Sequence, residues 1–393
     1  MRERLVQAVR RWRVLQQVTP ATRIAVRRDR QGPPPEDPGI QASVEAALTW
    51  LESAQDHSVS ADGGFARHYH IENGWATSYP ETTGYIIPTL LGCAGRMSRP
   101  ELHTRARRAL DWLVSIQLAS GGFQGGLIDS TPVVAVTFNT GQVLLGLAAG
   151  AAAFGEPFLG AMHRAAVFLR DSLDSDGCWR RHPTPFAQAG EKAYETHVAW
   201  GLLEAERVAP GLGYGDAALS NIRWAIGRQE PNGWVRDCCL DDPSAPLTHT
   251  LGYWLRGVIE GHLFTGEARL LAVAERTAAA LMKPLSSDGR LPGRIRPDLQ
   301  AAVAWTCLTG VVQLAWCWLR LGALTGKAEY LEAGRRANRF VRRTVLVDGP
   351  VGLRGGVKGS QPIDGGYGPF QYLNWACKFF VDAQLLETEL GPR

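Results

Sequence analysis

The chain has 393 residues with 45% hydrophobic content, enough for a large buried core and for two or three ordinary domains or one closed architecture. Its seven cysteines are scattered without C-x-x-C or paired spacing, and no H-x-x-x-H pattern occurs, so a disulfide scaffold and a local metal motif are both excluded. The formal charge of +4 is uneven: residues 1–30 carry nine arginines against Glu3 and Asp29, giving +7 and leaving the body at −3, which excludes nucleic acid as an expected partner of the folded part.

At the start of the chain, Leu5, Val9, Trp12, Leu15 and Val18 fall on one face of a basic amphipathic helix. Such a helix either lies on an anionic membrane surface through residues 1–30 or packs against the rest of the protein. It has no uninterrupted apolar core of the signal-peptide kind, and no later stretch is long and apolar enough to span a bilayer. The expected location is cytoplasmic, with attachment to the inner face of the membrane as its variant, and the cysteines are expected to be reduced thiols. Prolines and glycines from Arg30 to Gly39 interrupt regular structure. They divide the chain into a tail and linker, 1–39, and one domain, 40–393.

From there the chain repeats. Glycine-centred turns, most followed by an aromatic residue, stand at Asp62-Gly-Gly-Phe65, Ser120-Gly-Gly-Phe123, Asp176-Gly-Cys-Trp179, Asn232-Gly-Trp234, Asp288-Gly-Arg290 and Val351-Gly-Leu353. Each spacing is the length of two helices with their connections. A polar-faced helix precedes each turn, over 41–56, 100–118, 157–173, 215–229, 266–283 and 326–344. A far more apolar helix follows each turn, over 81–95, 139–153, 195–208, 249–264, 305–321 and 374–387. Six outer and six inner helices in alternation predict an all-α fold, an (α/α)6 toroid of six helical hairpins whose last hairpin docks on its first.

The stretch Arg108-Ala-Leu-Asp-Trp-Leu-Val-Ser-Ile-Gln117-Leu-Ala-Ser-Gly-Gly-Phe123 resembles the glutamine-tryptophan repeat of squalene-hopene cyclases and of protein prenyltransferase toroids, and Gln229-Glu-Pro-Asn-Gly-Trp234 resembles it again. The resemblance implies the toroid, in which the glutamine caps a helix end and the aromatic residue packs between hairpins. It does not carry the reaction over, because the cyclases' Asp-x-Asp-Asp acid motif has only a loose echo in Asp237-Cys-Cys-Leu-Asp-Asp242. The same architecture serves six-hairpin glycosidases, polysaccharide lyases and sugar epimerases. The segment Ser78-Tyr-Pro-Glu-Thr-Thr-Gly-Tyr-Ile-Ile-Pro88 is also similar to proteins of bacterial exopolysaccharide clusters.

In such a toroid all inner helices start at one end, so the polar residues of their first turns converge on a funnel. The expected lining is an aromatic, amide and acid–base set, which suits a carbohydrate better than a hydrocarbon. Glu81 and Glu195 would form the carboxylate pair of a hydrolase. In a lyase or epimerase, His197, His249 or Tyr253 would move the proton, with charge neutralised by Asn139, Arg256 or Lys378. Trp75, Tyr79, Gln142, Tyr194, Trp305, Asn374 and Trp375 complete the substrate-binding set. Asp364 and Tyr367 would join it from a long loop that folds over the funnel as a lid.

The reading is therefore a carbohydrate-active enzyme acting on an oligo- or polysaccharide in surface-polysaccharide metabolism, by hydrolysis, elimination or epimerisation, with no metal and no cofactor. The alternatives are an isoprenoid or terpenoid cyclase-like enzyme and a non-catalytic glycan-binding toroid.

Overall fold

The computed structural model describes residue 16 and residues 18 to 391. The expected amphipathic helix of residues 1–18, and with it the membrane-surface expectation, lies almost wholly outside the described residues. Within them the first element is α1, Pro20–Asp29, capped by the side chain of Thr19.

The outer helices are α2 (Ile40–Asp56), α4 (Glu101–Ile116), α6 (Phe158–Ser172), α8 (Tyr214–Ile226), α10 (Ala268–Met282) and α12 (Ala328–Arg342). The inner helices are α3 (Pro80–Arg96), α5 (Thr137–Phe154), α7 (Thr196–Val208), α9 (Thr248–Thr265), α11 (Leu308–Thr325) and α13 (Asn374–Glu389). Each inner helix packs on the next, and α13 packs on both α2 and α3, so the ring closes. Short strands sew the closure at the end where the inner helices begin. β1 (His68–His70) pairs antiparallel with β2 (Gly74–Trp75) on one side and with β5 (Gln371–Leu373) on the other. A second pair joins β3 (Thr306–Cys307) to β4 (Ser360–Gln361).

The repeated glutamines act between hairpins. Gln55 Nε2 donates to the carbonyls of Gly63 and of Arg105 on the next outer helix, and Gln117 Nε2 does the same to Gly121 and Ala161. In the turns, the N–H of Phe65 donates to Thr83 Oγ1 and that of Phe123 to Thr140 Oγ1, which ties each turn to its own inner helix. The aromatic residues thus face inward, and Phe65 and Phe123 are fully buried.

The inner ring is tight because glycines let neighbouring backbones touch. A Cβ on Gly257 of α9 would stand 2.3 Å from the carbonyl oxygen of Thr196 at the start of α7. Backbone cannot rotate aside as a side chain can, so Gly257→Ala is expected to destabilise by roughly 1–3 kcal/mol, outweighing the gain of about 1 kcal/mol in helix propensity. Chemical denaturation would measure it, and an unchanged midpoint would contradict this packing account.

Two of the shifts from the expected helix boundaries have a local cause. Inner helix α11 begins at Leu308 rather than 305, because Thr306 and Cys307 are drawn into the β3–β4 pair. Ahead of α7, Ala193–Glu195 forms a 3₁₀ turn that sets Glu195 at the N-cap. All seven cysteines are buried free thiols. Among the described residues no helix is long and apolar enough to cross a membrane.

Candidate active site

The centre of the helix-start face is built around Glu81, in the first turn of α3 behind Pro80. Its Oε2 accepts from the hydroxyl of Tyr79 at 2.5 Å and from Asn139 Nδ2, in the first turn of α5, at 3.0 Å. Burial lifts the carboxyl to about 7, against the opposing pull of the Tyr79 hydrogen bond and of the Arg67 charge. Both donors thus meet the same carboxyl oxygen, Oε2.

The groups around Glu81 hold single protonation states. His249 is 4% exposed and stands with its ring 4.8 Å from that of Tyr367 and 5.3 Å from that of Tyr253. Neither ring nitrogen has a hydrogen-bond partner among the described residues. Burial, helped by the Arg294 charge, lowers its pKa to about 3, so the imidazole is neutral throughout the physiological range. Burial raises Tyr79, Tyr253 and Tyr367 well above the ordinary phenol value, and they remain hydroxyl donors. The loop from Lys358 to Tyr367 sets Tyr367 beside the ring of His249, and its hydroxyl accepts from Trp375 Nε1 at 3.0 Å.

Arg67, absent from the expected lining, also stands at this face, where its charge acts on Glu81. It lies between the first turn and β1, and the pairing of β1 with β5 carries it over the face. Its guanidinium carbon sits 4.9 Å from the ring centre of Trp375 and 5.9 Å from that of Tyr79, and its Nη1 donates to Gln371 Oε1 at 3.1 Å. Arg67, Tyr79 and Tyr367 are half-buried, so this mouth opens to solvent.

Below the mouth the funnel is closed, contrary to expectation. His197, Tyr253 and Phe379 meet ring to ring, His197 to Tyr253 at 4.5 Å and Tyr253 to Phe379 at 5.9 Å. His197 Nδ1 lies 2.6 Å from Gln142 Oε1, and burial together with Lys378 and Arg256 holds its pKa well below the usual value. Beneath that floor Arg256 is held between the indoles of Trp200, at 4.0 Å, and Trp316, at 3.4 Å, and is paired with Glu260. Lys378 is paired with Asp382 at 2.7 Å and is 1% exposed. The space left there is about 10 Å³, bordered by His197, Arg256, Gln313, Trp316, Phe379 and Asp382. That is room for about one water. His197, Gln142, Arg256 and Lys378 therefore belong to the packed lumen and do not reach the mouth.

Four other expected lining residues are also placed elsewhere. Trp75, on β2, turns outward to Trp50 on outer helix α2, at 5.0 Å, and to His57 just after that helix, at 5.9 Å. Trp305 precedes α11 and packs beneath Gly293, Gly365 and Gly366 as a support for the lid loop. Asn374 Nδ2 is used within the fold, donating to the Ala66 carbonyl and to Thr82 Oγ1. Asp364 pairs with Arg30 at 2.5 Å, so it ties the lid loop to the residue after α1.

Glu195 shares no hydrogen bond with Glu81, whose partners are Tyr79 and Asn139, although both carboxyls act on the buried Tyr194. It lies in the wall of a separate cleft of about 270 Å³, bounded by the start of α5 and by the segments 179–184 and 188–195. Burial lifts its carboxyl to about 8, opposed by Lys192, and Oε2 has no hydrogen-bond partner among the described residues. Tyr194 and Phe138, with rings 5.3 Å apart, stand between this cleft and the mouth, and Phe138 in turn meets Tyr253 at 5.3 Å. Among the described residues no group of three or more His, Cys, Asp or Glu side chains is placed to hold a metal ion.

No family model matches the chain, and no curated protein matches it by sequence. Solved structures do. An unsaturated glucuronyl hydrolase specific for heparin superposes with a TM-score of 0.72 at 14% identity, over 89% of this chain and 97% of that one. D-mannose isomerase gives 0.72 at 12% identity, over 89% and 97%. Cellobiose 2-epimerase from Bacillus thermoamylovorans B4167 gives 0.68 at 10% identity, over 88% and 99%. The chain shares the (α/α)6 toroid fold of these proteins. At these identities the likeness establishes the toroid, and the chemistry must be read from the mouth itself.

Proposed function

We propose that this toroid is a carbohydrate-active enzyme that moves a proton on a sugar bound at the mouth, with Glu81 as the acid–base group. One observation carries the reading. A single carboxyl that burial raises to about 7 accepts from Tyr79 and Asn139, with Tyr253 and Tyr367 kept as hydroxyls nearby and the neutral His249 packed against those two rings. Such a set transfers one proton and stabilises the charge that develops with fixed donors. A neutral imidazole suits the second task, because a histidine with a pKa near 3 is a poor base but a competent hydrogen-bond donor. Trp375, Tyr79 and Tyr367 supply rings for the apolar face of the sugar, and Arg67 offers a positive edge.

Epimerisation or isomerisation is favoured because the carboxyl at the mouth is backed by neutral donors, whereas displacement by paired carboxylates would need Glu195, set beyond Phe138 and Tyr194 in the adjoining cleft, to flank the same bond. Arg67 favours a second reading, protonation-led hydrolysis of an anionic glucuronyl sugar, the sugar named for the hydrolase that shares this fold. An isoprenoid substrate is disfavoured by the packing of the lumen, where the rings of His197, Tyr253 and Phe379 meet above an Arg256 held between two indoles. Action within surface-polysaccharide metabolism, and a peripheral membrane location, belong to the same reading. They rest on sequence alone, on Ser78 to Pro88 and on the arginines of residues 1–30.

The test is incubation of the protein in D₂O with mannose, cellobiose and an unsaturated glucuronyl disaccharide, followed by NMR. Carbon-bound deuterium with a changed sugar configuration is expected. Release of single sugars without it would favour the hydrolytic reading, and no change in any sugar would remove both.

A further inference from the structure

Resting on that reading of the mouth, we infer that the adjoining cleft binds the next residue of an oligosaccharide, with the buried carboxyl of Glu195 pairing with a sugar hydroxyl. The cleft holds about 270 Å³ and is lined by aromatic and polar groups together, among them Phe138, Trp179, His182 and Tyr194. The ring surface open to a ligand is that of Phe138 and His182, both half-buried, while Trp179 is 4% exposed with its indole N–H used on the Leu169 carbonyl at 2.9 Å. Aromatic surface of this kind takes the C–H face of a pyranose, while a few polar groups fix its orientation.

Glu195 supplies the polar group. It is 6% exposed, and its Oε2 lacks a partner although buried oxygens rarely stay without one. The acidic residues around it are spoken for: Asp174, Asp176 and Glu191 are held by Arg180, and Glu191 by Arg228 as well. Lys192 turns its ammonium to the Cys239 carbonyl, at 3.2 Å. Burial keeps the Glu195 carboxyl protonated at neutral pH, so one group both donates to and accepts from a hydroxyl.

The cleft and the mouth form one path. Phe138 meets Tyr194 on the cleft side and Tyr253 on the mouth side, so a sugar at Glu81 and a sugar at Glu195 would be separated by a single side chain. In the segment between Thr184 and Gln188, both of which line the cleft, Phe186 is 56% exposed and lies over Gly125 and Gly126. A Cβ on Gly126 would meet its ring at 2.7 Å, so the glycine is what lets the ring lie there. The substrate class that follows is an oligosaccharide of at least two residues, its uncharged neighbouring residue seated in the cleft.

The experiment is calorimetric titration with D-mannose and D-glucuronate as single rings and with cellobiose and cellotetraose as chains. It compares the wild type with Glu195→Ala, Glu195→Gln and Ala189→Trp, the last filling the cleft from its exposed side. Chains are expected to bind the wild type about tenfold more tightly than single rings. Glu195→Ala and Ala189→Trp should abolish that advantage, and Glu195→Gln, whose amide also donates and accepts, should restore most of it. An advantage that survives both Glu195→Ala and Ala189→Trp would overturn the subsite. So would a Glu195→Gln protein that binds chains normally and turns none over, because that places Glu195 in the chemistry. Failure of every sugar to bind the wild type would instead strike at the reading of the mouth.

Discussion

Glu81→Gln is expected to lower turnover by about 10²- to 10⁴-fold, the range that a positioned acid–base group contributes, while leaving sugar affinity within a few-fold of the wild type. The amide keeps the shape and can still accept from Tyr79 and Asn139, so the site should remain assembled. What it loses is the exchangeable proton. With Glu81 taking the proton first, kcat/KM of the wild type should fall with unit slope as pH drops below about 7, where burial places this carboxyl. Stability should run the other way. The folded carboxyl titrates near 7 and the unfolded one near 4.5, so its contribution is complete below about 4.5 and is lost as pH rises through 7. The glutamine variant escapes that loss, and above pH 8 it should exceed the wild type by roughly 1–3 kcal/mol in denaturant unfolding. Reduced turnover together with increased stability separates a group held charged for chemistry from one that serves the fold. A variant working within tenfold of the wild type would take Glu81 out of the reaction.

The repeat made the toroid legible, because each hairpin needs a glycine to turn, an aromatic residue to pack between hairpins and an apolar inner helix. These demands are local and recur in register. The same regularity exposed Tyr79, Glu81, Asn139 and Trp375, all within a residue or two of an inner helix start. Depth was harder to read. A helical face groups His249, Tyr253 and Arg256, yet Arg256 lies eight residues beyond Thr248, about 12 Å down the axis at 1.5 Å per residue. By that depth Trp200, Trp316 and Phe379 have filled the lumen, and no single helix's pattern reveals how six sets of side chains share one interior. Arg67 stayed hidden for the opposite reason. It belongs to no helix, and only the pairing of a strand near the first hairpin with one before the last helix sets it beside Glu81. Trp75 misled because it follows a glycine at a loop, where an outward and an inward turn look alike in sequence.

The second large effect is expected far from the mouth, at the end of α1. Asp29 pairs with Lys358, accepts from the backbone N–H of Ile363 at 2.5 Å, and gives its own carbonyl to Gln361 Nε2 at 2.7 Å. The Lys358 side chain is only 7% exposed, and burial lowers its pKa against the pull of Asp29. Removing the anion strands a desolvated ammonium, so Asp29→Ala should cost about 3–5 kcal/mol, measured by chemical denaturation. Much of that is the penalty for the orphaned charge, and Asp29→Ala with Lys358→Met should therefore recover a large part. If the double variant is no more stable than Asp29→Ala, the ion pair is not the source of the effect. The loop anchored here runs from Lys358 to Tyr367, whose ring packs on His249 and whose hydroxyl meets Trp375. Loosening α1 should accordingly raise KM as well as lower stability, since the residues before the proline-rich stretch hold one wall of the mouth in place. An Asp29→Ala protein with unaltered KM would confine their role to stability.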